Sequence, residues 1–178
     1  MACVRFYVAT SLDGFIADRE GSVDWLAPYD ARLYGYDKFL DEVGALVMGR
    51  RTFELIRATG DEWPYRGKAV YVLASQPLGR LPVGVAQVSR GIGDALMQAR
   101  RVTPRDIWVI GGAVTMQSAL DDGMVDVVEI FLVPVMIGSG LHLMNDLAQR
   151  SQLTLDGVDS YPDGVVKLRY RVAKQPRL

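Results

Sequence analysis

The sequence predicts an α/β fold in three layers, α/β/α, with helices on both faces of a mostly parallel mixed sheet and an antiparallel hairpin at the C-terminal end. Two observations carry this. Through residues 4–120, short β-rich apolar runs alternate with helical patterns, the order that parallel β-α-β units require. At the C-terminal end, Val166, Leu168, Tyr170 and Val172 alternate with Lys167, Arg169 and Arg171, directly after a Tyr-Pro-Asp-Gly turn at residues 161–164. That is the signature of a hairpin with one buried face.

Residues 4–10 form the first strand, β-rich and expected to be buried. Residues 11–14 are a turn with Asp13 and Gly14 in favourable positions. Residues 15–17 are a short apolar extension, and 18–22 a polar loop. After residues 23–26, Pro28 suits a helix start. Leu33, Tyr36, Phe39, Leu40 and Val43 then recur at spacings of three and four, which predicts one amphipathic helix over 29–43. Residues 45–48 are a compact strand ended by Gly49, and 50–56 a short helix. A loop follows at 60–67, a strand at 68–74 closed by Ser75, Gln76 and Pro77, and a weaker strand at 83–88. Ile92, Ala95, Leu96 and Ala99 mark a helix over 91–101. Residues 107–110 are a strand, and the helix after it runs to about Leu120. Residues 125–133 are a long apolar strand containing Glu129, either an outward-facing residue of a half-exposed strand or a buried acid with a partner, the outward reading being favoured. Residues 134–140 are a turn region, and 153–158 and 165–172 pair as the final hairpin. With no repeat or linker in the sequence, residues 1–178 read as one domain.

Composition narrows the function. A net charge of −1 gives no reason to expect a nucleic-acid or anionic membrane partner. No apolar run approaches the length that spans a bilayer, and no signal-like segment opens the chain, so the cytoplasm is the expected location. The single Cys3 and single His142 exclude a Cys- or His-rich metal centre and a C-x-x-C pair, and no metal is expected.

Chemistry concentrates in two stretches. Residues 107–120 read as a buried strand, the pair Gly111 and Gly112, and a helix. A helix start offers unpaired N–H groups and partial positive charge, which suits a phosphate; the plainer alternative is a tight turn. Residues 47–54 repeat the arrangement. Gly49 permits the turn, Thr52 is placed to cap the helix or meet a phosphate, and Arg50 and Arg51 offer forked donors. The plainer alternative there is a capped helix with two solvated arginines. Two such units in one α/β chain favour a ligand with two or more phosphates.

At this point the chain resembles the dihydrofolate reductase-like superfamily. Residues 48–54, Met-Gly-Arg-Arg-Thr-Phe-Glu, look like its M-G-R-x-T-[WF]-E segment, and Ile110-Gly-Gly-Ala like its I-G-G element. Val72-Leu-Ala-Ser75 stands where the superfamily has a strand ending in Ser. Residues 11–17, Ser-Leu-Asp-Gly-Phe-Ile-Ala, and the 133–140 segment are similar to the reductase domain of riboflavin biosynthesis. The H-x-E and P-C-x-x-C signature of its deaminase partner is absent. The resemblance implies NADPH and hydride transfer to a small-molecule substrate, a pterin- or pyrimidine-like heterocycle. By motif, Gly49, Arg50, Arg51 and Thr52 would hold phosphates, one arginine with Ser75 meeting the 2′-phosphate. Gly111, Gly112, Ala113 and Val114 would cradle the pyrophosphate, and Ala9 and Ile16 would line the nicotinamide side.

Hydride transfer also needs a proton. A carboxylate in a partly apolar cleft can supply one. The candidates are Asp13, Asp24, Asp30 and Glu129, with Asp24 and Asp30 favoured. Trp25 is a candidate to stack on the heterocycle, or else a core or lid residue, and His142 reads as a surface or interface residue. Two alternatives stand beside the reductase: a dihydrofolate reductase proper, and a nucleotide-binding protein without catalysis. An acid in the cleft separates the last from the others. The apolar 125–133 strand, read as an exposed edge, with the 138–140 loop and the hairpin, points to a homodimer.

Overall fold

The computed structural model describes residues 2–60, 62–145 and 147–174. In chain order the elements are β1 (Val4–Ser11), β2 (Phe15–Ala17), two 3-10 turns (Asp24–Leu26 and Ala31–Tyr34), α1 (Tyr36–Glu42), β3 (Val43–Gly49), α2 (Arg50–Ala58), β4 (Ala69–Leu73) and β5 (Val85–Val88). Then come α3 (Ile92–Val102), β6 (Asp106–Gly111), α4 (Ala113–Asp121), β7 (Val127–Val133), β8 (Leu141–His142), β9 (Leu153–Ser160) and β10 (Val166–Val172). Eight strands form one sheet in the order β5-β4-β3-β6-β1-β7-β10-β9. The first six are parallel, and β10 and β9 are antiparallel. β2 and β8 form a separate two-stranded ribbon.

The three layers follow from alternation along the strands. Val4 and Phe6 of β1, with Val47, Ile107 and Val109, pack against Leu96, Met116 and Leu120 of α3 and α4. Tyr7 on the other face, with Leu46, Met48, Trp108 and Phe131, packs against Phe39 of α1 and Phe53 of α2. This second layer is aromatic: Tyr7 stacks on Phe39 at 4.0 Å, and Trp108 meets Phe39 edge-on at 5.1 Å.

Three expectations need correction. The 29–43 helix is broken: a 3-10 turn ends at Gly35, whose φ is +82°, and only Tyr36–Glu42 is α-helical. The left-handed backbone there suits glycine and stops the helix. Val43 is fully buried as the first residue of β3, so its place in the helical spacing was fortuitous. The 125–133 strand is not an edge, because β7 lies between β1 and β10. Edges fall on β5 and β9 instead.

The third correction is Glu129, which does not face outward. Its side chain is 1 % exposed, and it receives Arg5 at 2.6 Å, Lys167 at 2.9 Å and Arg169 at 3.4 Å. Arg5 also reaches Glu42 at 2.6 Å and Asp106 at 3.0 Å. The alternation along β7 placed Glu129 on the aromatic face, opposite Tyr7 and Arg169 in register. Burial alone would raise the Glu129 carboxyl, but hydrogen bonds from Arg5 and Lys167 outweigh it and hold the pKa below its ordinary value. A depressed pKa adds stability that is complete above the unfolded value, about 4.3, and is lost as pH falls through the folded value.

Arg5→Leu is therefore expected to cost about 3 kcal/mol at pH 7, because it strips the main partner from a buried carboxylate. Glu129→Gln should lie well below the parent at pH 7, and the gap should close toward pH 3. Urea unfolding at both pH values measures this. A loss under 1 kcal/mol for Arg5→Leu, or a gap independent of pH, would contradict the assignment.

Candidate functional site

A cleft of about 1070 Å³ opens at the carboxyl ends of the parallel strands. It lies where the chain turns to opposite sides of the sheet. From β3 it passes through α2 to β4 on one side; from β6 it passes through α4 to β7 on the other. Such a switch point separates the loops and leaves a crevice.

β3 and β6 are neighbours, so the starts of α2 and α4 meet. Gly49 precedes α2 and Gly112 precedes α4, and neither helix has a side-chain cap. Their first-turn N–H groups are left without the usual side-chain acceptor. Gly49 has an ordinary backbone, with φ −79°, so conformation does not demand glycine. Proximity does: a Cβ there would stand 2.8 Å from Thr115 Oγ1 and 3.6 Å from the Gly112 nitrogen. Thr52 reaches the other way, its Oγ1 3.6 Å from where a Gly112 Cβ would lie. The two starts interlock, each threonine against the other helix's glycine.

The residues expected at the cofactor all line this cleft: Ala9 from β1, Ile16 from β2, Gly49, Arg50, Arg51 and Thr52 at the α2 start, Ser75 beyond β4, and Gly111, Gly112, Ala113 and Val114 at the α4 start. Gly112 has φ −72°, not the positive value that would itself demand glycine; Gly111, at +146°, has that value. The two arginines differ. Arg50 is held by Glu54 at 2.7 Å, whereas Arg51 has no carboxylate partner among the described residues. Arg51 is thus the guanidinium available to a ligand.

The aspartates expected to supply a proton are elsewhere. Asp30 is exposed, caps the Ala31–Tyr34 turn and is chelated by Arg32 at 2.8 Å. Hydrogen bonds from Arg32 hold its carboxyl below the ordinary value, which suits a proton donor poorly. Asp24 is exposed at the start of a 3-10 turn, and neither aspartate lines the cleft. Gly35 and the 3-10 turns, replacing one continuous helix, carry this segment along the surface. Trp25 packs against the aromatic layer and does not line the cleft; Val23 and Leu26 do. Asp13 accepts the N–H groups of Ile137 at 3.2 Å and Gly138 at 2.7 Å, joining the 11–14 turn to the 134–140 segment.

Titratable groups in the cleft wall include Tyr7, Glu20, Glu54 and His142. Burial, then the charge of Glu129, raises the Tyr7 pKa, so Tyr7 remains a phenol. Its O–H donates to the Tyr34 carbonyl at 3.3 Å. His142 is brought in by the β2–β8 ribbon and stacks on Phe15 at 4.2 Å. Trp108 is 5 % exposed in the floor, and its indole N–H has no hydrogen-bond partner among the described residues. Sequence reasoning missed Thr115, though a signal existed: Gly49-x-x-Thr52 and Gly112-x-x-Thr115 have the same spacing. For His142 no local signal existed, because its position depends on a pairing across more than a hundred residues.

This sheet order, with two glycine-started helices at its switch point, can be set against known proteins. Residues 2–167 match the model of the RibD C-terminal domain. The chain belongs to the RibD C-terminal domain family. It is 29 % identical over 160 residues to the uncharacterized protein YwjB of Bacillus subtilis (strain 168), covering 89 % of this chain and 92 % of that one. Among solved structures, the "Putative riboflavin biosynthesis protein" from Shewanella sp. PV-4 superposes with a TM-score of 0.81 at 29 % identity, over 97 % of this chain and 99 % of that one. The diaminohydroxyphosphoribosylaminopyrimidine deaminase/5-amino-6-(5-phosphoribosylamino)uracil reductase of Thermotoga maritima gives a TM-score of 0.73 at 18 % identity. It is matched over 97 % of this chain but 57 % of its own, and that similarity concerns the fold alone. RibD C-terminal domains share the dihydrofolate reductase-like fold, and the mixed α/β sheet here has that form. No helix among the described residues is long and apolar enough to cross a membrane.

The interlock makes a prediction for Gly49. Gly49→Ala drives a methyl into Thr115 Oγ1 and is expected to cost about 1–3 kcal/mol. Thr115→Ala in the same chain should recover part of that loss, and Thr115→Ser, which keeps the oxygen, should not. Strictly additive effects in urea unfolding would rule out the contact as the cause.

Proposed function

We propose that the protein is an NADPH-dependent reductase of a small heterocycle, pterin- or pyrimidine-like. The observation that carries this is the convergence of two uncapped helix starts on one cleft, with Arg51, which has no carboxylate partner among the described residues, beside them. Such starts attract anions through oriented N–H groups and the helix dipole. Two of them suit a diphosphate. Arg51 and Ser75 suit the 2′-phosphate that distinguishes NADPH from NADH. The cleft residues fit the cofactor sterically: a Cβ at Gly112 would meet nothing closer than Thr52 Oγ1 at 3.6 Å, so the space before α4 is open.

When bound, NADPH supplies a hydride from its nicotinamide ring. Ala9 and Ile16 form an apolar wall for that ring, and Trp108 and Tyr7 floor the cleft next to them. For the proton, the lining offers His142 and Glu20 in place of the expected aspartates. The position of Asp24 and Asp30 outside the cleft favours one other reading, a nucleotide-binding protein without turnover. It weighs against a dihydrofolate reductase proper, which would need a carboxylate at the substrate end.

Fluorescence titration with NADPH and NADH, followed by NADPH oxidation with aminopyrimidine ribosyl phosphates and dihydrofolate, tests the proposal. NADPH should bind more tightly, and an aminopyrimidine should turn over. Arg51→Ala should weaken NADPH by about 1.5–3 kcal/mol and leave NADH nearly unchanged. Gly112→Ala should lose NADPH affinity while its unfolding midpoint without ligand barely moves, since neither φ nor packing opposes the methyl. Equal affinity for NADH and NADPH, unaffected by Arg51→Ala, would remove the 2′-phosphate assignment. Tight NADPH binding with no turnover would leave the non-catalytic reading.

The same proposal includes a homodimer, with β9 in place of the interior β7 as the joining edge. β9 has one unpaired side and exposes Leu153, Leu155 and Val158; an edge of this kind is a template for pairing. Light scattering at micromolar concentration should give twice the 19.7 kDa chain mass, and Leu155→Lys should halve it. A monomer mass for the parent would refute the assembly.

A further inference from the structure

A second basin, of about 660 Å³, lies behind α2. The helix is the wall between the two hollows: Arg51, Leu55 and Ala58 line the cleft, whereas Ile56 and Arg57 line the basin. The opposite wall is the 80–83 segment that leads into β5, and Trp63 and Arg66 complete the enclosure.

These walls are held in place. Trp63 is 8 % exposed and packs against Phe53 at 5.6 Å and Tyr65 at 5.5 Å. Its indole N–H has no hydrogen-bond partner among the described residues. The 80–84 turn is tied at three points. Arg57 Nη1 donates to the Arg80 carbonyl at 3.4 Å, the Val85 N–H to the Pro82 carbonyl at 3.2 Å, and the Val70 N–H to the Gly84 carbonyl at 2.9 Å. Val83 nevertheless stands 97 % exposed at the rim. A valine that bare, on a pinned turn, is not there for packing within the chain.

The charge is one-sided. Among the described residues, Arg57, Arg66 and Arg80 line the basin against one carboxylate, Glu62, which lies 3.5 Å from Arg66. Arg57 and Arg80 have no carboxylate partner among the described residues. Guanidinium groups match phosphate and carboxylate oxygens in a forked geometry. Ile56, Trp63, Leu81 and Val83 add an apolar surface beside them. Pockets for small molecules commonly occupy 300–1,000 Å³ and combine apolar walls with a few polar anchors.

We propose that this basin binds a small organic anion, one that joins a phosphate or carboxylate head to an apolar body. Arg57 and Arg80 take the head, and Trp63, Leu81 and Val83 take the body. The site shares only the α2 helix with the cleft and does not depend on the cofactor reading. Head alone or body alone satisfies half of the surface, so both parts are required.

Phenyl phosphate serves as the probe, with inorganic phosphate and benzyl alcohol as its two halves, followed by amide and indole NMR shifts. Phenyl phosphate is expected to move the Trp63 indole N–H and the Arg57, Leu81 and Val83 amides, and to bind at least tenfold more tightly than either half. The Arg57→Gln/Arg80→Gln pair should weaken it at least tenfold. Val83→Asp tests the site without touching a hydrogen bond: it places a carboxylate at the rim and should weaken binding by a similar factor in a chain whose spectrum otherwise overlays the parent's. The proposal is overturned by shifts confined to cleft residues such as Arg51 and Gly112. It is equally overturned by unchanged affinity in both variants, or by inorganic phosphate binding as tightly as phenyl phosphate.

Discussion

The constraint on which the rest depends is the approach of two helix starts. Gly49 and Gly112 stand side by side because β3 and β6 are parallel neighbours whose helices leave on opposite sides of the sheet. Each start carries roughly half a positive charge, and in this chain neither is capped by a side chain. Like partial charges brought together repel, and Arg50 and Arg51 add to the field. Glu54 answers Arg50 alone. The remainder is a concentration of positive potential at the two helix starts, held open by glycine and walled by threonine. An anion with two or more negative groups would satisfy it, which is the basis for proposing a phosphate site there.

Such a site needs a rigid floor, and the α1–α2 face of the sheet supplies it. Tyr7, Phe39, Trp108 and Phe131 pack ring against ring. Arg5 lies 4.7 Å over Phe39 and binds Glu129, Glu42 and Asp106, which joins β1, β6, β7 and α1 through one guanidinium. Lys167 of β10 reaches Glu129 and the rings of Tyr7 and Phe131. Aromatic packing and a satisfied ionic cluster share one layer, and Tyr7 and Trp108 carry its upper edge into the cleft. The ion pairs join β1, β6, β7, β10 and α1, and desolvation offsets much of their attraction.

The architecture, and the glycine-started helices at which phosphates are proposed to bind, were legible in the sequence because they depend on local patterns. Strand–glycine–helix units announce themselves by composition, and the hairpin by its alternation about residues 161–164. What failed depended on relations between distant segments. The apparent 29–43 periodicity ran through Gly35, where positive φ broke it, and that break carried Asp30 to the surface. Glu129 was read as outward because its partners, Arg5 and Lys167, lie far away in sequence. The 125–133 run was taken for an edge because its second neighbour, β10, follows more than thirty residues later. His142 and the basin behind α2 are likewise products of tertiary pairing, without a local signature.

In the proposed function, the paired starts of α2 and α4 together hold the cofactor's phosphates. Hydrogen–deuterium exchange with and without NADPH reads both starts at once. Amides of residues 50–52 and 112–115 should gain protection together on adding NADPH, because their first-turn N–H groups pass from solvent to phosphate oxygens. Protection at only one start, or at neither while NADPH is shown to be bound, would contradict the claim.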